Sequence, residues 1–246
     1  PMRKNVDLNC DLGEGMANDN AIMPFLGSCN IAAGGHAGNE KTILETIKLA
    51  KRHQVNIGAH PSYPDQKNFG RKPMDISFSK LEESLFQQIH LVQKLAFTEN
   101  KTLNHIKFHG ALYLKSLTSL NLAERLAIFL SNNFNGIYIY APYGSCMAEA
   151  ARKYEIPLKN EGFADRAYLT SSTLVSRKKS YALLTNLNEV KHQVLSMVNQ
   201  GKVPTYDNHK HDIVVDTICV HGDHPKALEI AQLLGPLLAT KSTLNH

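Results

Sequence analysis

The sequence contains no tryptophan, few cysteines and no apolar run of the roughly 18 residues that a membrane-spanning helix needs. Its four cysteines are Cys10, Cys29, Cys146 and Cys219. They are far apart and form no C-x-x-C pair, so neither a zinc knuckle nor a disulfide framework is indicated. The N-terminal segment leads into a strand-like run rather than the apolar core of a signal peptide. We therefore expect a cytoplasmic protein that does not engage a membrane.

Several common catalytic motifs are also missing. The sequence has no H-E-x-x-H, no G-x-S-x-G and no G-x-G-x-x-G motif, which removes the commonest metalloprotease, hydrolase and dinucleotide-binding interpretations. Residues 35–42 end like a P-loop, but Glu40 stands where the second glycine is required. This chain therefore has no evident phosphate-binding loop for ATP.

Charge gives no sign of a nucleic-acid partner. The 27 basic and 22 acidic residues give a formal net charge of +5 and are spread along the chain. The one dense basic patch, Arg177-Lys178-Lys179, lacks interleaved aromatic residues and is interpreted as a solvated loop. The polar stretch His209-Lys210-His211 is likewise predicted to be a flexible surface loop rather than a metal site.

Short apolar runs alternate with segments of helical periodicity, which is typical of a parallel sheet with crossover helices. The strand-like runs lie at residues 6–10, 29–33, 55–59, 106–108, 137–141, 158–160 and 218–220. The helical segments lie at residues 41–53, 78–98, 121–132, 145–154, 187–200 and 225–239. No linker divides the chain, so one domain over residues 1–246 is predicted.

Six of the seven strand-like runs end in clusters of His, Asp, Glu or Arg beside glycine. An open doubly wound sheet collects its site mainly at one switch point, whereas a barrel brings every strand exit to one mouth. The clusters therefore favour an α/β fold in the form of a distorted or incomplete (β/α) barrel with about seven parallel strands.

Acidic side chains crowd the exit of the first strand. Asp7, Asn9 and Asp11 alternate along it and so share one face, and Glu14 follows in a turn between two glycines. Crowded carboxylates serve as general bases or hard-metal ligands, whereas a lone aspartate at a strand end usually caps the next helix. We interpret Asp11 and Glu14 as functional.

Four histidines follow strand runs: His36, His60, His109 and His221. Any one of them alone would more often be a structural hydrogen-bonding group. Because all four are predicted at one end of the sheet, proton transfer or metal binding is the favoured interpretation.

Cationic side chains also occur near these exits. Lys107 lies two residues before His109, so both are predicted to face the barrel interior from one strand. A buried lysine needs a partner carboxylate or an anionic ligand. Arg71 and Asp165-Arg166 are equally consistent with binding a substrate carboxylate and with internal salt bridges.

Seven stretches carry a resemblance to a known family: residues 11–15, 30–38, 58–65, 68–71, 109–113, 163–168 and 220–223. In this order they resemble the LamB/YcsF-type family, which supplies the A subunit of 5-oxoprolinase, from near residue 7 to near residue 227. The departures are local: Ala33 replaces the family's usual Cys, Asn39 its Asp, and Phe108 and Ser176 its Pro. The loss of the Cys argues against an obligatory thiol nucleophile at that position.

The resemblance implies a seven-stranded barrel similar to the glycoside hydrolase/deacetylase group. It also implies conversion of 5-oxo-L-proline to L-glutamate, with ATP hydrolysed to ADP and phosphate, in a complex with partner subunits B and C. Because this chain lacks a P-loop, we expect ATP and its magnesium to be bound wholly or partly by the partner subunits.

Catalytic roles follow from the resemblance as hypotheses. Asp11 or Glu14 would activate water, and His60 and His109 would carry a proton to the departing ring nitrogen. Lys107 would stabilise oxyanion or phosphate charge.

Substrate binding is assigned to a second group: Asn30, His36, Arg71, Glu161, Asp165, Arg166 and His221. Arg71 and Arg166 would hold the substrate carboxylate, and Asp165 would orient an arginine.

Two alternatives stay open. An aspartate with histidines at a barrel mouth is also typical of the active site of a metal-dependent deacetylase or amidase, which would bind a divalent ion there. A non-catalytic subunit that delivers substrate to a partner is the other. The helices also leave room for a homo-oligomer, with no symmetry indicated.

Overall fold

Strands and helices alternate along the chain as the periodic pattern predicts. The computed structural model describes residues 6–239. Within them the strands are β1 (Asp7–Leu12), β2 (Ser28–Ala32), β3 (Asn56–His60), β4 (Leu103–Ile106), β5 (Tyr138–Ala141), β6 (Leu158–Phe163), β7 (Lys202–Pro204), β8 (Lys210–Asp212) and β9 (Thr217–Val220). The helices are α1 (Asp19–Ile22), α2 (Glu40–Arg52), α3 (Phe78–Thr98), α4 (Gly110–Thr118), α5 (Leu120–Asn133), α6 (Cys146–Lys153), α7 (Leu187–Leu195) and α8 (Ala227–Ala239).

Seven parallel strands form a closed barrel in the order β1-β2-β3-β4-β5-β6-β9. The last strand completes the ring because it pairs with both β1 and β6; Ile218 lies opposite Leu8 on one side and Gly162 on the other. The prediction of an α/β barrel with about seven parallel strands is confirmed, and the barrel is closed rather than incomplete. The predicted domain bounds, 1–246, extend at both ends beyond the described residues.

The helices follow from local sequence signals. Asn39 caps α2: its side chain accepts the N–H of Thr42, and the Thr42 hydroxyl accepts the N–H of Asn39. This explains the amide at that position in structural terms. None of the helices over residues 6–239 combines the length and apolar sequence that crossing a membrane requires.

Among the elements that the sequence-based prediction lacks, which also include α1 and β7, β8 and α4 concern named residues. The stretch His209-Lys210-His211 is not a flexible loop, because β8 pairs antiparallel with β7 and Thr205 closes the turn by donating to the carbonyl of His209 at 3.0 Å. Helix α4 is absent from the predicted elements, since it begins at a glycine directly after His109. Both elements are short, and neither has the apolar periodicity by which helices and strands are recognised.

The barrel interior is polar, whereas barrels of this type are usually filled with layers of branched apolar side chains. Asn9 of β1 donates to Glu161 of β6 at 3.2 Å and to Thr217 of β9 at 2.7 Å. Asn30 of β2 donates to both Asn9 and Asp11 at 2.8 Å, and it accepts from the ring of His105 at 2.6 Å. This hydrogen-bonded lining fixes the side chains beneath the barrel mouth.

The backbone ladder continues beyond the end of β4. The N–H of Lys107 donates to the carbonyl of Ala59 at 3.0 Å, and the N–H of His109 donates to the carbonyl of Pro61 at 2.9 Å. Lys107 and His109 therefore reach the mouth from one extended segment, although the strand itself ends at Ile106.

Candidate active site

A cavity of about 630 Å³ opens at the carboxyl ends of the barrel strands. Most of the predicted site residues line it: Asp11, Glu14, His60, Arg71, Lys107, His109, Arg166 and His221. The remaining four lie behind the cavity wall, and each contacts at least one lining residue. Asn30 binds Asp11, His36 binds Glu14, Glu161 binds Lys107 and Asp165 binds His221. The predicted residues therefore comprise a wall and the groups that support it.

Lys107 is the centre of what we call the lysine network, formed with Asp11, Glu161, Tyr113 and Cys219. The Lys107 ammonium Nζ lies 3.1 Å from Asp11 Oδ1, 2.9 Å from Glu161 Oε2 and 3.1 Å from Cys219 Sγ. Tyr113 donates its hydroxyl to Glu161 Oε1 at 2.8 Å. A buried ammonium is thus held between two carboxylates, which provide the partners that its burial demands.

Within the lysine network, Lys107 and Asp11 are both held in their charged forms. Burial alone would lower the pKa of Lys107, but the neighbouring Asp11, Cys219 and Glu161 raise that pKa well above its usual value. Burial alone would raise the pKa of Asp11, but Lys107 and then His60 hold it well below its usual range. Every described contact of the Asp11 carboxylate ends on Oδ1, which leaves Oδ2 for a molecule in the cavity.

Beside this network lies the imidazole cluster: Glu14, His36, His60 and His109. Glu14 Oε1 lies 2.9 Å from His36 Nε2, 3.6 Å from His109 Nδ1 and 3.9 Å from His60 Nε2. His60 Nε2 and His109 Nδ1 are 3.0 Å apart. Three ring nitrogens and one carboxylate oxygen therefore converge on one small space.

Backbone and hydroxyl acceptors fix the tautomers in this cluster. His60 Nδ1 lies 2.8 Å from the carbonyl of Lys107, and His109 Nε2 lies 2.9 Å from the carbonyl of Phe69. A carbonyl only accepts, so both of these nitrogens carry the proton. His36 Nδ1 lies 3.2 Å from Ser62 Oγ, whose hydroxyl is already donated to the carbonyl of Tyr63. In each neutral ring the lone pair therefore points into the cluster.

Burial keeps these rings neutral. It lowers the pKa of His36 and that of His109 to about 4, and it lowers the pKa of His60 well below its usual value. Burial, reinforced by Asp11, raises the pKa of Glu14 to about 7. Uncharged imidazoles with their lone pairs exposed to one another are the form in which histidine coordinates metals.

A glycine-containing loop encloses the cluster. Phe69 adopts the left-handed conformation and places its ring edge-on against His36 and His109, with ring centroids 5.1 and 5.3 Å away. At Gly70 a Cβ atom would lie 3.0 Å from the Cβ of His36, and at Gly110 it would lie 2.4 Å from the carbonyl oxygen of Gly70. Glycine at these two positions permits the close approach that holds the rings.

Asp165 binds a histidine rather than an arginine. Its carboxylate accepts the backbone N–H of His221 and lies 2.9 Å from His221 Nδ1. The described hydrogen bonds of Asp165 therefore end on His221 and not on an arginine, and the two residues are brought together by the pairing of β6 with β9.

The arginines also divide differently from the prediction. The Arg166 guanidinium is buried and donates to the backbone carbonyls of Ala182 and Val175, so it secures the loop over the cavity. Arg71 and Arg177 lie on the cavity wall and both bind Asp223, at 2.5 and 3.2 Å. Although the sequence places Arg177 in a solvated basic patch, it is a better placed partner for Arg71 than Arg166 is.

Two members of the lysine network are functional candidates that sequence reasoning misses. Cys219 reads as an inert buried thiol, and Tyr113 stands out only as part of the family motif. Cys219 lies two residues before His221, and this alternation is the available signal that both share one strand face. Tyr113 carries no such signal, because its orientation depends on the unpredicted helix α4.

Comparison with known proteins gives a consistent family. Residues 6–244 match the model of the LamB/YcsF family. A protein of Bacillus cytotoxicus, named as the A subunit of 5-oxoprolinase, is 40% identical over 233 residues, which cover 93% of this chain and 92% of that protein. A Bacillus cereus protein of the same name is 38% identical over 233 residues, with 92% of each chain covered.

Solved structures agree with the fold. The crystal structure of a lactam utilization protein from Thermus thermophilus superposes with a TM-score of 0.89 and 34% identity, covering 97% of both chains. A putative cellobiose-phosphate cleavage protein from Enterococcus faecalis superposes with a TM-score of 0.56 and 11% identity, over 97% of this chain and 94% of that one. The second likeness concerns the fold alone.

Proposed function

Since this chain belongs to the LamB/YcsF family, we propose that it is the A component of a 5-oxoprolinase, which opens the lactam of 5-oxo-L-proline to give L-glutamate. ATP would be hydrolysed to ADP and phosphate in the same cycle, together with subunits B and C. The observation that carries the proposal is the near full-length match to proteins of that name, joined to a cavity lined by a paired ammonium and carboxylate.

The chemistry suits such a cavity. An unactivated lactam resists hydrolysis, and transfer of a phosphoryl group to its carbonyl oxygen would create a leaving group that water can displace. Lys107 supplies fixed positive charge for the oxygen that becomes anionic, without reorganisation during the reaction. Asp11 and Glu14 both line the cavity, and one of them would take a proton from the attacking water; the raised pKa of Glu14, about 7, makes it the stronger base of the two.

Arg71 and Arg177 form the proposed binding site for the substrate carboxylate. Both line the cavity and share Asp223, so an incoming carboxylate would find two guanidinium groups already held on the same wall. Arg166 fixes the loop that carries Arg177 instead of meeting the substrate. Arg177 therefore takes the place beside Arg71 that the sequence-based hypothesis gives to Arg166.

The ATP step is assigned to the partner subunits, wholly or in part. This chain has no P-loop, so magnesium and ATP would be held by subunits B and C or at an interface with them. The cavity of the A component would then receive the lactam that is being activated.

The test is detection of glutamate by NMR from 5-oxo-L-proline, ATP and magnesium. The chain alone would be compared with the chain mixed with purified B and C subunits, with Lys107→Met as the impaired variant and exposed Lys115→Met as its control. Glutamate that appears only in the complete mixture, and not with Lys107→Met, is the expected result. No glutamate from an assembled, folded mixture would refute the proposal, and glutamate without ATP would favour a metal-dependent amidase.

A further inference from the structure

In the imidazole cluster, two ring nitrogens face each other without a donor between them. Its outward-facing ring nitrogens are satisfied by the carbonyls of Lys107 and Phe69 and by the hydroxyl of Ser62. The inward-facing nitrogens of His60 and His109, 3.0 Å apart, are then two acceptors that face each other. Two lone pairs at this distance repel unless something positive lies between or beside them.

We propose that Glu14, His36, His60 and His109 form a binding site for a divalent transition-metal ion, with zinc as the best fit. The proposal goes beyond the 5-oxoprolinase assignment and does not depend on it. Each residue contributes one donor atom, and the four donors all lie within 4.8 Å of one another.

The distances suit tetrahedral coordination. Zinc binds imidazole nitrogen and carboxylate oxygen at about 2.0–2.2 Å, which places neighbouring donors of a tetrahedron roughly 3.3 Å apart. The distance from Glu14 Oε1 to the three ring nitrogens ranges from 2.9 Å, at His36, to 3.9 Å, at His60, and all four donors lie within 4.8 Å of one another. The rings of His36 and His109 are stacked, with centroids 3.7 Å apart, so one of them must turn for both lone pairs to point at one ion.

The donor set also selects the class of metal. Three imidazoles and a single carboxylate suit zinc and its neighbours in the first transition series, whereas magnesium and calcium prefer sites built from oxygen. The Glu14 carboxylate and the nearby Asp11, whose Oδ1 lies 3.5 Å from His60 Nε2, add the negative charge that attracts a cation.

The histidines of the cluster have the hydrogen-bond partners that usually orient metal ligands. Metal-bound histidines usually donate their second nitrogen to a carbonyl or carboxylate, which fixes the ring and its tautomer. His60 and His109 have carbonyl partners and His36 has the Ser62 hydroxyl, while Phe69 and Gly70 pack against the cluster from outside. Glu14, His60 and His109 line the cavity, so an ion has a path of entry.

A metal here excludes one of the roles predicted from the sequence. If His60 and His109 coordinate an ion through their inward-facing nitrogens, those nitrogens cannot also carry a proton to the ring nitrogen of the substrate. A tetrahedral ion held by all four residues would have no open position, so it would mainly fix the cluster at the cavity wall; only expansion to five-coordination would let it polarise a carbonyl or acidify a water molecule.

The test is metal binding by the isolated chain, without substrate, ATP or partner subunits. Protein purified without a histidine tag would be stripped with a chelator and titrated with Zn²⁺ by calorimetry and with Co²⁺ by visible absorption. We expect one ion per chain in the unaltered protein. Because no turnover is measured, failure here leaves the 5-oxoprolinase proposal standing, and failure of that assay leaves this one standing.

Four variants locate the ion. Glu14→Gln and His36→Gln should each weaken Zn²⁺ binding by more than the roughly 10- to 100-fold that loss of an outer partner costs. His192→Gln, at an exposed position in α7, and Cys219→Ser should bind as the unaltered protein does. Cys219 tests the neighbouring group Asp11, Cys219 and His221, which also brings three donor atoms together.

Besides the cobalt spectrum, three binding results would each overturn the proposal: no Zn²⁺ binding by the folded, unaltered chain, unchanged binding by both Glu14→Gln and His36→Gln, or loss of binding in Cys219→Ser. The Co²⁺ spectrum of the unaltered chain gives an answer even where a variant fails to fold. A tetrahedral spectrum without a sulfur-to-cobalt charge-transfer band supports the four-residue site, and a strong band of that kind contradicts it.

Discussion

The lysine network and the imidazole cluster differ in how their buried polar groups are paired. In the lysine network, Lys107 is paired with Asp11 and Glu161, and Glu161 also accepts from Tyr113 and Asn9. In the imidazole cluster, the lone pairs of the histidines face one another and the Glu14 carboxylate. The polar groups of the lysine network find their partners within the network. Those of the imidazole cluster need a proton, a ligand or an ion to complete their contacts.

This contrast separates stability from function. Removing one member of a self-satisfied buried ion network leaves an uncompensated charge, which is costly to folding. Removing one member of a cluster whose groups are already under-satisfied costs folding much less, but it takes away chemistry. We therefore expect variants in the two regions to fail in different assays.

The largest effect is expected for His109→Ala in the complete enzyme. Turnover should fall by roughly 100- to 10,000-fold, the usual range for loss of a group that acts directly on the reaction. Its free energy of unfolding should fall by only about 1–3 kcal/mol, because the carbonyl of Phe69 loses a donor. Glutamate formation and urea unfolding measure the two quantities, with His192→Ala as control. Unchanged turnover in the folded variant would remove His109 from the mechanism.

Lys107→Met, unlike His109→Ala, is expected to lower the free energy of unfolding strongly. Asp11 and Glu161 would be left as unpaired buried carboxylates, at a cost of about 3–5 kcal/mol in the free energy of unfolding. Adding Asp11→Asn and Glu161→Gln to the same chain should restore part of that loss. Urea unfolding of the single and triple variants tests this, with Lys115→Met beside them. A single variant as stable as the unaltered protein would contradict the idea of a self-satisfied network.

Asp165→Asn tests how the Asp165–His221 pair contributes to the free energy of unfolding at different pH values. Burial acts to raise the pKa of Asp165, but the charge and hydrogen bonds of His221, with a smaller effect of His224, bring it below its usual value. The carboxylate is therefore more acidic folded than unfolded, so its stabilisation is present at neutral pH and is lost as pH falls through the folded pKa. The variant should be less stable by about 1.5–3 kcal/mol at pH 7.

That difference should shrink as the pH falls below about 4, because the unaltered protein then loses the same interaction. Chemical unfolding at a series of pH values measures it. A difference that is constant across this range would mean that Asp165 contributes through shape rather than charge.

The smallest effect is expected for Tyr113→Phe. The change removes only the hydroxyl that donates to Glu161, while Lys107 and Asn9 continue to bind that carboxylate. We expect a loss of about 1 kcal/mol in the free energy of unfolding, measured by urea unfolding. A loss as large as that of Lys107→Met would show that Tyr113, and not the ammonium, holds the network together.

Much of the fold is readable from the sequence because its signals are local. Near-continuous apolar runs such as residues 137–141 predict buried parallel strands, and the polar residues after them predict which end carries the site. Helix α3, Phe78–Thr98, has the bounds that its periodicity predicts. Helix α4 is not predicted from the sequence, because its first residue is Gly110, with a positive φ, and because its apolar residues are consecutive rather than periodic.

The partnerships within the site are not readable in the same way, because they join residues far apart in sequence. Asp165 stands beside Arg166 in the chain, but its partner is His221, which a paired strand brings to it. Arg166 and Arg177 have the same charge, and only the loop geometry shows that one binds backbone carbonyls and the other faces the cavity. Sequence patterns indicate the residue types at the mouth, and tertiary structure decides their partners.

The pairing of the first strand with the last has a consequence for how the protein is made. Asp11 on β1 meets Cys219 and His221 only after β9 has inserted between β1 and β6. A chain emerging from the ribosome exposes the polar face of β1, with Asp7, Asn9 and Asp11, while some 200 further residues are synthesised at about 5–20 residues per second. Contacts of such long sequence separation also slow folding. The cavity at the barrel mouth is thus completed only after β9 has been synthesised and has reached β1.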